Sequence, residues 1–407
     1  MVPITISLNG PNNIGKNSQI SLLPSHSTLL KVEGLLQYSK RLGQLHDQGK
    51  LTDWWWDSSV EDFVCTIFTA LKRRYLETTE STDKNFIIYD CGITTFKAAA
   101  TAVIAIKQGH KNLEAARLTF DGVVHKYGLR IWREDFAILL YDVHDLNDGV
   151  ALSLSREKAG HDELYAPYQV LLQTELRNQE EEDEYQHVIS VSEGDRYRAV
   201  QDAIRKAIFN KTKNPLFQPV LHTLQGVYGL CGFSEADKGT LAAELCEVIG
   251  AKAAFRAKIG YFNDIASRRL GKSVHTLTAE KQALSLFHEL EEFAREHHWL
   301  RVITLESLHR ADVTQFLNMW LEEKLKVVYV DAKDTTRTDR SLIPPAAFRE
   351  HDQLSYEMGV AGMAEVADLS VDGGGSLRES VKLLLCFVEY SGPIFPPPDP
   401  RAESAES

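Results

Sequence analysis

One glycine-containing loop near the start of the chain constrains its fold more than any other feature. Residues 10–16 fit the pattern G-x-x-x-x-G-K, and Asn17 follows where Ser or Thr is usual. The loop lies between a β-branched run at residues 2–9 and a segment from Lys16 onwards that can open a helix. Backbone N–H groups of such a loop can surround phosphate oxygens, and the lysine can reach them as well. The segment therefore predicts a strand, a phosphate-binding loop and a helix, with a β–α turn carrying an incidental lysine as the alternative.

Strands and helices alternate along the first half of the chain. Apolar strands are predicted at residues 85–90, 136–142 and 187–191. Helices are predicted at the alanine-rich residues 95–107 and at residues 195–209. Strands separated by helices of about ten or more residues favour an α/β fold, in which a parallel, doubly wound sheet is flanked by helices.

The same architecture begins again in the second half, although the sequence itself does not repeat. Further strands are predicted at residues 226–232, 300–306, 326–331 and 366–371, and helices at 240–249 and 377–388. The polar, turn-prone residues 210–219 separate the two halves. We therefore expect a first domain at residues 1–211, a linker at 212–225, a second domain at 226–390 and a disordered, proline-rich tail at 391–407.

Length, charge and cysteine content limit the classes of function. The 407 residues suffice for two domains. The net charge of −12 argues against nucleic-acid binding as the main function, because phosphate backbones favour clustered Lys and Arg. The five cysteines form no CxxC pair, so neither a disulfide framework nor a zinc site is indicated. Without a signal peptide or about 18 consecutive apolar residues, the chain is expected to be soluble and cytoplasmic, with no membrane partner.

The first half resembles the thymidylate kinase family over roughly residues 1–211. Residues 9–19 are similar to that family's phosphate loop, residues 88–95 to its D-R segment, residues 134–142 to its P-D-x-x-x-x-L-D strand and residues 151–156 to the entry of its mobile lid. With the loop pattern, the resemblance implies that the phosphates of ATP contact Gly10, Asn12, Asn13, Ile14, Gly15, Lys16, Asn17 and Ser18.

The same resemblance implies a catalytic and a metal-binding group in this half. Lys16 would stabilise the negative charge of the phosphates, Asp90 would help to hold hydrated Mg²⁺, and Arg156 would lie over the transferring phosphoryl group. Asn17 offers an amide oxygen to the metal, which is a less common ligand than the usual hydroxyl. Cys91 replaces the arginine that contacts the acceptor nucleotide in the family. Nucleotide binding is therefore better supported than phosphorylation of dTMP.

A second loop, at residues 229–240, resembles the phosphate loop of the adenylate kinase group, which ends in G-K-G-T. The resemblance implies that phosphate contacts Gly232, Lys238, Gly239 and Thr240. Asp237 replaces the glycine that precedes the lysine, and its anionic side chain opposes a triphosphate through sterics and charge.

Downstream of this loop, residues up to about 390 are similar in order to dephospho-coenzyme A kinase and its relatives. Arg337 and Arg340 follow the strand at 326–331, as the lid arginines of those enzymes follow theirs. Glu306 and Thr240 would be the metal ligands of this half. Residues 255–262, which include Arg256 and Lys258, could supply an acceptor site with two cations and an aromatic plane. The two resemblances together imply tandem P-loop kinase-type domains.

Three classes of function follow from these residues. In the first, the chain is an ATP-dependent phosphotransferase that uses Mg²⁺ and acts on a nucleotide or nucleotide-like small molecule, with Lys16, Asp90, Arg156, Lys238, Arg337 and Arg340 as catalytic residues. In the second, one or both domains have degenerated into a nucleotide-binding regulatory or scaffold protein, as the altered Asn17, Cys91 and Asp237 suggest. The third is an interaction module built on three consecutive tryptophans at 54–56 and the acidic run at 180–184, although packing of the tryptophans is favoured. The sequence leaves open whether the chain forms a homodimer.

Overall fold

Two sheets organise the described part of the chain, each within its own unit. The computed structural model describes residues 2–387, except for residues 33, 81, 110–111, 131, 143, 158–162, 193, 220, 222–223 and 251. Contacts divide the chain into a first unit, Met1–Gln218, and a second unit, Pro219–Ser407. The tail predicted at residues 391–407 lies outside the described residues.

The first unit is built on a five-stranded sheet of order β2-β3-β1-β4-β5, in which the pairings are parallel. Its strands are β1 (Ile4–Asn9), β2 (Leu29–Val32), β3 (Phe86–Asp90), β4 (Phe136–Tyr141) and β5 (His187–Ser190). Its helices are α1 (Lys16–Ser21), α2 (Lys40–Asp47), α3 (Leu51–Asp57), α4 (Val60–Glu80), α5 (Ile93–Lys107), α6 (Leu113–Lys126), α7 (Leu146–Ser155), α8 (Tyr165–Glu181) and α9 (Tyr197–Thr212).

Both faces of this sheet are buried, as its apolar strands require. In β4, Ile138 and Leu140 join one hydrophobic core, while Leu139 and Tyr141 join another on the opposite face. Helix α5 lies against the sheet through small side chains, and its alanines from Ala98 to Ala105 are buried. The loop that follows β1 is therefore held at the carboxyl end of a central, rigid strand, where ligands bind in such sheets.

The second unit repeats this topology. Its sheet has the order β10-β9-β6-β8-β7 with parallel pairings, which is the first unit's order when counted from β6. Its strands are β6 (Gly226–Cys231), β7 (Ala254–Lys258), β8 (Val302–Leu308), β9 (Leu325–Asp331) and β10 (Leu369–Asp372). Its helices are α10 (Lys238–Ile249), α11 (Ile259–Leu270), α12 (Ala279–Glu296), α13 (Ala311–Leu321), α14 (Asp334–Arg340), α15 (Pro345–Glu357), α16 (Met363–Val366) and α17 (Leu377–Phe387).

The predicted fold class is confirmed, because each unit is a parallel, doubly wound sheet flanked by helices. The strands predicted from apolar runs are present, with ends shifted by a few residues. Of the four edge strands, β2 and β7 were missed. Strand β7 contains Arg256 and Lys258. Because these residues are charged, an acceptor site was predicted there instead of a strand. Residues predicted as a linker include Phe217, which is fully buried and packs on Phe86 with ring centroids 5.1 Å apart.

The three tryptophans of α3 pack within the first unit. Trp54 is buried and its indole N–H donates to Asp62 Oδ2 at 2.9 Å. Trp55 and Trp56 are partly buried against the same core, next to Phe63 and Tyr168 respectively. Packing, rather than an exposed patch, is therefore their role in this structure.

Among the described helices, none combines the length and the hydropathy needed to cross a membrane.

Candidate functional site

The first loop, residues 10–18, wraps around its own lysine. The Lys16 Nζ atom donates to the carbonyl oxygens of Gly10 at 3.1 Å and Pro11 at 2.7 Å. The side chain is only 8% exposed. An ammonium has three N–H donors, so the contacts to these two carbonyls leave a third donor for an anion in the loop. The structure thus places a cation, the first residue of α1, at the centre of a backbone cradle.

Glycine is required at the first position of this loop. Gly10 has φ of +139°, and a Cβ atom there would lie 2.1 Å from the carbonyl oxygen of Leu140 in β4. Gly15 and Asn13 also have positive φ, at +102° and +61°. Asparagine tolerates the left-handed region better than most residues, and glycine adopts it without penalty. The sequence therefore folds into this cradle because its unusual backbone angles fall on residues that accept them.

The loop is anchored on α7. The Asn13 side-chain amide donates to Ser153 O at 3.2 Å and to Glu157 Oε2 at 3.0 Å. Arg156, at the C-terminal end of the same helix, donates from Nη1 to the Asn13 carbonyl at 3.3 Å. Ile14 is buried in the core, whereas Asn12 is exposed. The structure thus brings the predicted lid arginine to the rim of the first loop.

Asn17 and Asp90 meet at the mouth of the first loop. The Asn17 amide nitrogen, in the orientation that satisfies its surroundings, lies 2.5 Å from Asp90 Oδ2 and 3.0 Å from Oδ1. Among the described residues, no group of three or more His, Cys, Asp or Glu side chains could hold a metal ion by itself. The pair nevertheless fits hydrated Mg²⁺, because a half-turn of the amide presents an amide oxygen beside a carboxylate, and Mg²⁺ takes its other ligands from water and phosphate.

Arg74 of α4 supports Asp90 and was missed from the sequence. Its guanidinium is buried and donates to the carbonyl oxygens of Asp90 at 3.1 Å and Cys91 at 2.6 Å. Cys91 has φ of +59°, so these bonds hold a strained turn. Arg74 continues the buried stripe of Ile67, Ala70 and Leu71 on α4. A charged residue on the apolar face of a helix indicates that it has a buried partner. This pattern in the sequence of α4 could have identified Arg74.

The second loop, residues 232–240, has the same backbone conformation. Lys238 Nζ donates to the carbonyl oxygens of Gly232, at 2.8 Å, and Phe233. A Cβ atom at Gly232, where φ is +126°, would lie 2.4 Å from Val330 O in β9. Positive φ recurs three residues and one residue before the lysine, at Glu235 and Asp237. The cradle of the first loop is therefore repeated with different side chains.

Asp237 is accommodated by its neighbours. Its φ of +73° lies in the left-handed region, which aspartate enters more readily than most residues. One carboxylate oxygen accepts a hydrogen bond from the Thr240 hydroxyl, and the other lies 3.9 Å from Arg340 Nη2. An aspartate therefore fits at this position in place of glycine, and its negative charge is partly offset.

Burial lowers the pKa of Lys238 to about 8, and the positive charge of Arg337 contributes to the shift.

Glu306 occupies the position in the second unit that Asp90 occupies in the first. Asp90 pairs with Leu8 on the neighbouring strand, and Glu306 pairs with Leu230. Leu8 lies two residues before Gly10, and Leu230 lies two residues before Gly232. Glu306 is buried, and Arg256 of β7 binds both of its oxygens, with Nη2 3.2 Å from Oε2. A Cβ atom at Gly239 would lie 2.7 Å from Arg256 Nη2. The guanidinium thus fills the space beside residue 239.

The second unit therefore does not fit a magnesium site. Its two predicted metal ligands are engaged elsewhere, because Glu306 is bound by Arg256 and the Thr240 hydroxyl is bound to Asp237. No side chain extends from Gly239 towards the carboxylate, whereas Asn17 does so from the equivalent position of the first unit. The sequence could not reveal this, since the Arg256–Glu306 pair joins residues on neighbouring strands that are distant in the chain.

The two predicted lid arginines of the second unit have different surroundings. Arg337 is buried, and its guanidinium binds both oxygens of Asp352, at 2.7 and 2.6 Å, as well as Asp334 at 2.7 Å. It also donates to the loop carbonyl of Ser234 at 3.2 Å, so it positions the loop rather than facing the cleft. Arg340 is partly exposed and donates to Gly373 O at 2.8 Å.

The second loop opens onto a cleft of about 610 Å³. Its charged lining residues are Glu235, Asp237, Lys238, Arg256, Lys258 and Glu306. Ser307, which has φ of +69° and follows Glu306, also borders a neighbouring cavity of about 140 Å³. That cavity is lined by apolar residues such as Leu286 and Val313 together with polar residues that include His309. Space for a ligand is therefore present beside the second loop.

Comparison with solved structures finds similar proteins at low sequence identity and low TM-score. A thymidylate kinase from Candida albicans is similar at 16% identity with a TM-score of 0.37, covering 52% of this chain and 93% of that protein. A deoxyadenosine kinase from M. mycoides gives 14% identity and a TM-score of 0.34, covering 52% of this chain and 100% of that protein. A shikimate kinase from Aquifex aeolicus gives 20% identity and a TM-score of 0.25, covering 39% of this chain and 94% of that protein.

No family model and no curated protein sequence matches the chain. The strand order of each sheet and the lysine-centred loop that follows β1 and β6 confirm the predicted fold class. Both units therefore have the doubly wound α/β fold that the resemblance to P-loop kinases implies.

Proposed function

We propose that the first unit binds a nucleoside triphosphate, such as ATP, through residues 10–18 and transfers its terminal phosphoryl group to a small-molecule acceptor. The observation that carries the proposal is the buried Lys16 ammonium inside the backbone cradle, 2.7 Å from the Pro11 carbonyl. The third N–H of this ammonium, which the contacts to Gly10 and Pro11 leave available, would bind a phosphate oxygen. Backbone N–H groups of the loop would complete the anion site.

The surrounding residues support transfer as well as binding. Arg156, which donates to the Asn13 carbonyl at the rim of the loop, would stabilise charge on the transferring group. Asn17 and Asp90 would hold Mg²⁺, which when bound neutralises phosphate charge and orients the terminal phosphoryl group. The acceptor oxygen forms the new P–O bond as the bond to the diphosphate breaks, and the acceptor loses its proton. No covalent enzyme intermediate is required.

Lys16→Ala tests this proposal directly. Removing the ammonium should weaken ATP binding by about a hundredfold or more, since hydrogen bonds to charged groups are each worth about 1.5–3 kcal/mol and the charge itself is lost. Isothermal calorimetry measures the affinity, and a coupled assay for ADP formation measures transfer across a panel of nucleoside monophosphates. Lys72→Ala, an exposed lysine on α4, is the matched control. ATP affinity is compared in a Lys238→Ala background, which disables the second loop. Unchanged ATP affinity on adding Lys16→Ala in that background would refute the proposal.

A second candidate function is nucleotide binding without transfer. It is favoured by the Asn17–Asp90 contact, in which an amide takes the position of the usual hydroxyl. In this case wild-type protein binds Mg-ATP, but no acceptor in the panel is phosphorylated. Asp90→Asn and Arg156→Ala separate the two candidates. For a phosphotransferase they lower the transfer rate far more than ATP affinity, whereas for a binding protein there is no transfer rate to lower.

A further inference from the structure

Beside the strand carboxylate, the second unit has the guanidinium of Arg256 where the first unit has the side-chain amide of Asn17. In the first unit, the side chain of Asn17 extends from the residue after the loop lysine and reaches Asp90. In the second, the residue after the lysine is Gly239, and the Arg256 guanidinium enters from β7 to bind the equivalent carboxylate of Glu306. The glycine leaves room for this arrangement, because a Cβ atom would lie 2.7 Å from Nη2 and the guanidinium would have to shift.

The charges in the cleft depend on this arginine. Three carboxylates and three cations line the cleft, namely Glu235, Asp237, Glu306, Lys238, Arg256 and Lys258. Without Arg256 the carboxylates would outnumber the cations, and the unpaired Glu306 would face any bound phosphate. A hydrated divalent cation solves the same problem in ordinary phosphate loops by standing between the carboxylate and the phosphate.

The guanidinium has donors left for a ligand. Its Nε and Nη2 atoms bind Glu306, whereas within the described part of the chain Nη1 donates to no protein acceptor. The Arg256 side chain is 43% exposed and lines the same cleft as Lys238. A guanidinium held by a carboxylate on one side can bind phosphate oxygens on another, because its donors lie in a fixed plane.

We propose that the second loop binds the diphosphate group of a nucleotide without a divalent cation, with Arg256, held in place by Glu306, in the position of the metal. Lys238 and the backbone of residues 232–240 bind one phosphate, and Arg256 binds oxygens on the side of Glu306. This assignment does not depend on phosphotransfer by the first unit, since it concerns a separate loop.

Calorimetry with ADP tests the proposal in the full-length Lys16→Ala protein, in which the first loop is disabled. ADP is titrated with EDTA present and again with excess Mg²⁺. We expect equal affinities within about twofold under the two conditions. Arg256→Gln should weaken binding in EDTA by about tenfold or more, because a charged donor is lost. It should also make binding depend on Mg²⁺, since Glu306 becomes available to the metal. Arg268→Gln, an exposed arginine on α11, should leave affinity unchanged.

A second variant guards against misfolding of Arg256→Gln, which leaves a buried carboxylate unpaired. Gly239→Ser keeps all charges but places a side chain where the guanidinium lies, and it restores a hydroxyl next to the lysine. It should lose affinity in EDTA and regain it with Mg²⁺. Circular dichroism confirms that each variant is folded. Binding of ADP that requires Mg²⁺ in the Lys16→Ala protein, or no binding of ADP at all, would overturn the proposal, as would Arg256→Gln and Gly239→Ser variants that bind like their parent.

Discussion

The two lysine-centred loops of this chain share a backbone conformation and differ in the charges around it. In each, a glycine packs against the neighbouring strand, at Gly10 and Gly232, and a lysine donates back to the first two carbonyls of the loop. The residue after the strand carboxylate has positive φ in both units, at Cys91 and Ser307. These shared features follow from close packing of main chain on main chain, which tolerates few residues.

The differences lie where side chains project into the cleft. Gly15 corresponds to Asp237, Asn17 to Gly239, and a carboxylate that meets an amide in one unit meets an arginine in the other. The backbone conformation of the loop is therefore the same in both units, while the charged side chains that would face a ligand differ. The comparison implies that shape and charge in these sites can be altered separately, and each of the following changes tests one of them.

Gly10→Ala and Gly232→Ala should have the largest effect, because they break the shared shape. The added Cβ atoms would lie 2.1 and 2.4 Å from carbonyl oxygens of β4 and β9, so a strand or the loop must move. We expect each to lower the free energy of opening of its own unit by about 2–4 kcal/mol. Hydrogen exchange of the peptides from β1 and β6 measures this for each unit separately.

Gly15→Ala is the matched control for that prediction. Its φ is +102°, but no atom lies within 4 Å of the added Cβ atom. Only the backbone conformation is penalised, at a cost of about 1 kcal/mol. Equal destabilisation by Gly10→Ala and Gly15→Ala would mean that contact with β4 does not fix the loop.

Exchanging the residues that precede Lys16 and Lys238 should have the next largest effect. These substitutions change the charge beside each loop and leave its backbone conformation intact, so they should alter nucleotide affinity. Gly15→Asp places a carboxylate beside the phosphates and should weaken ATP binding at the first loop by about thirtyfold. Asp237→Gly should strengthen ADP binding at the second loop by a smaller factor, since Arg340 and Thr240 already offset that charge. Calorimetry in Lys238→Ala and Lys16→Ala backgrounds isolates each loop. Gly15→Asn controls for side-chain size, and equal losses in Gly15→Asn and Gly15→Asp would show that charge is not responsible.

Local patterns predicted the fold well because they report on the features that both units share. Apolar runs identified the central strands, and the glycine and lysine spacing identified both loops, since these depend on residues adjacent in the chain. Strands β2 and β7 were missed because charged residues interrupt their apolar residues and weaken the signal.

The charge pairs that distinguish the sites could not be predicted in the same way. Arg256 meets Glu306 only because strands β7 and β8 align Lys258 with Glu306, a register that no local pattern reveals. Arg337 was predicted to face phosphate, yet it binds Asp352 on the following helix, which sequence order alone did not indicate. Positions of cations relative to carboxylates thus depend on the tertiary structure, even where the elements that carry them are known.

The smallest expected effect is a pH dependence of the second loop. The pKa of Lys238 is about 8, below its ordinary value, so its ammonium loses its proton as the pH rises through 8. ADP affinity in the Lys16→Ala protein should therefore fall above pH 8, by at most about tenfold per pH unit. The sign for stability is opposite, because the unfolded lysine keeps its proton up to its higher pKa. The penalty of burying the ammonium applies fully below pH 8 and is relieved as the pH rises from there. Lys238→Arg keeps the charge at all these pH values and should flatten the affinity profile, whereas an unchanged profile in Lys238→Arg would assign the titration to another group.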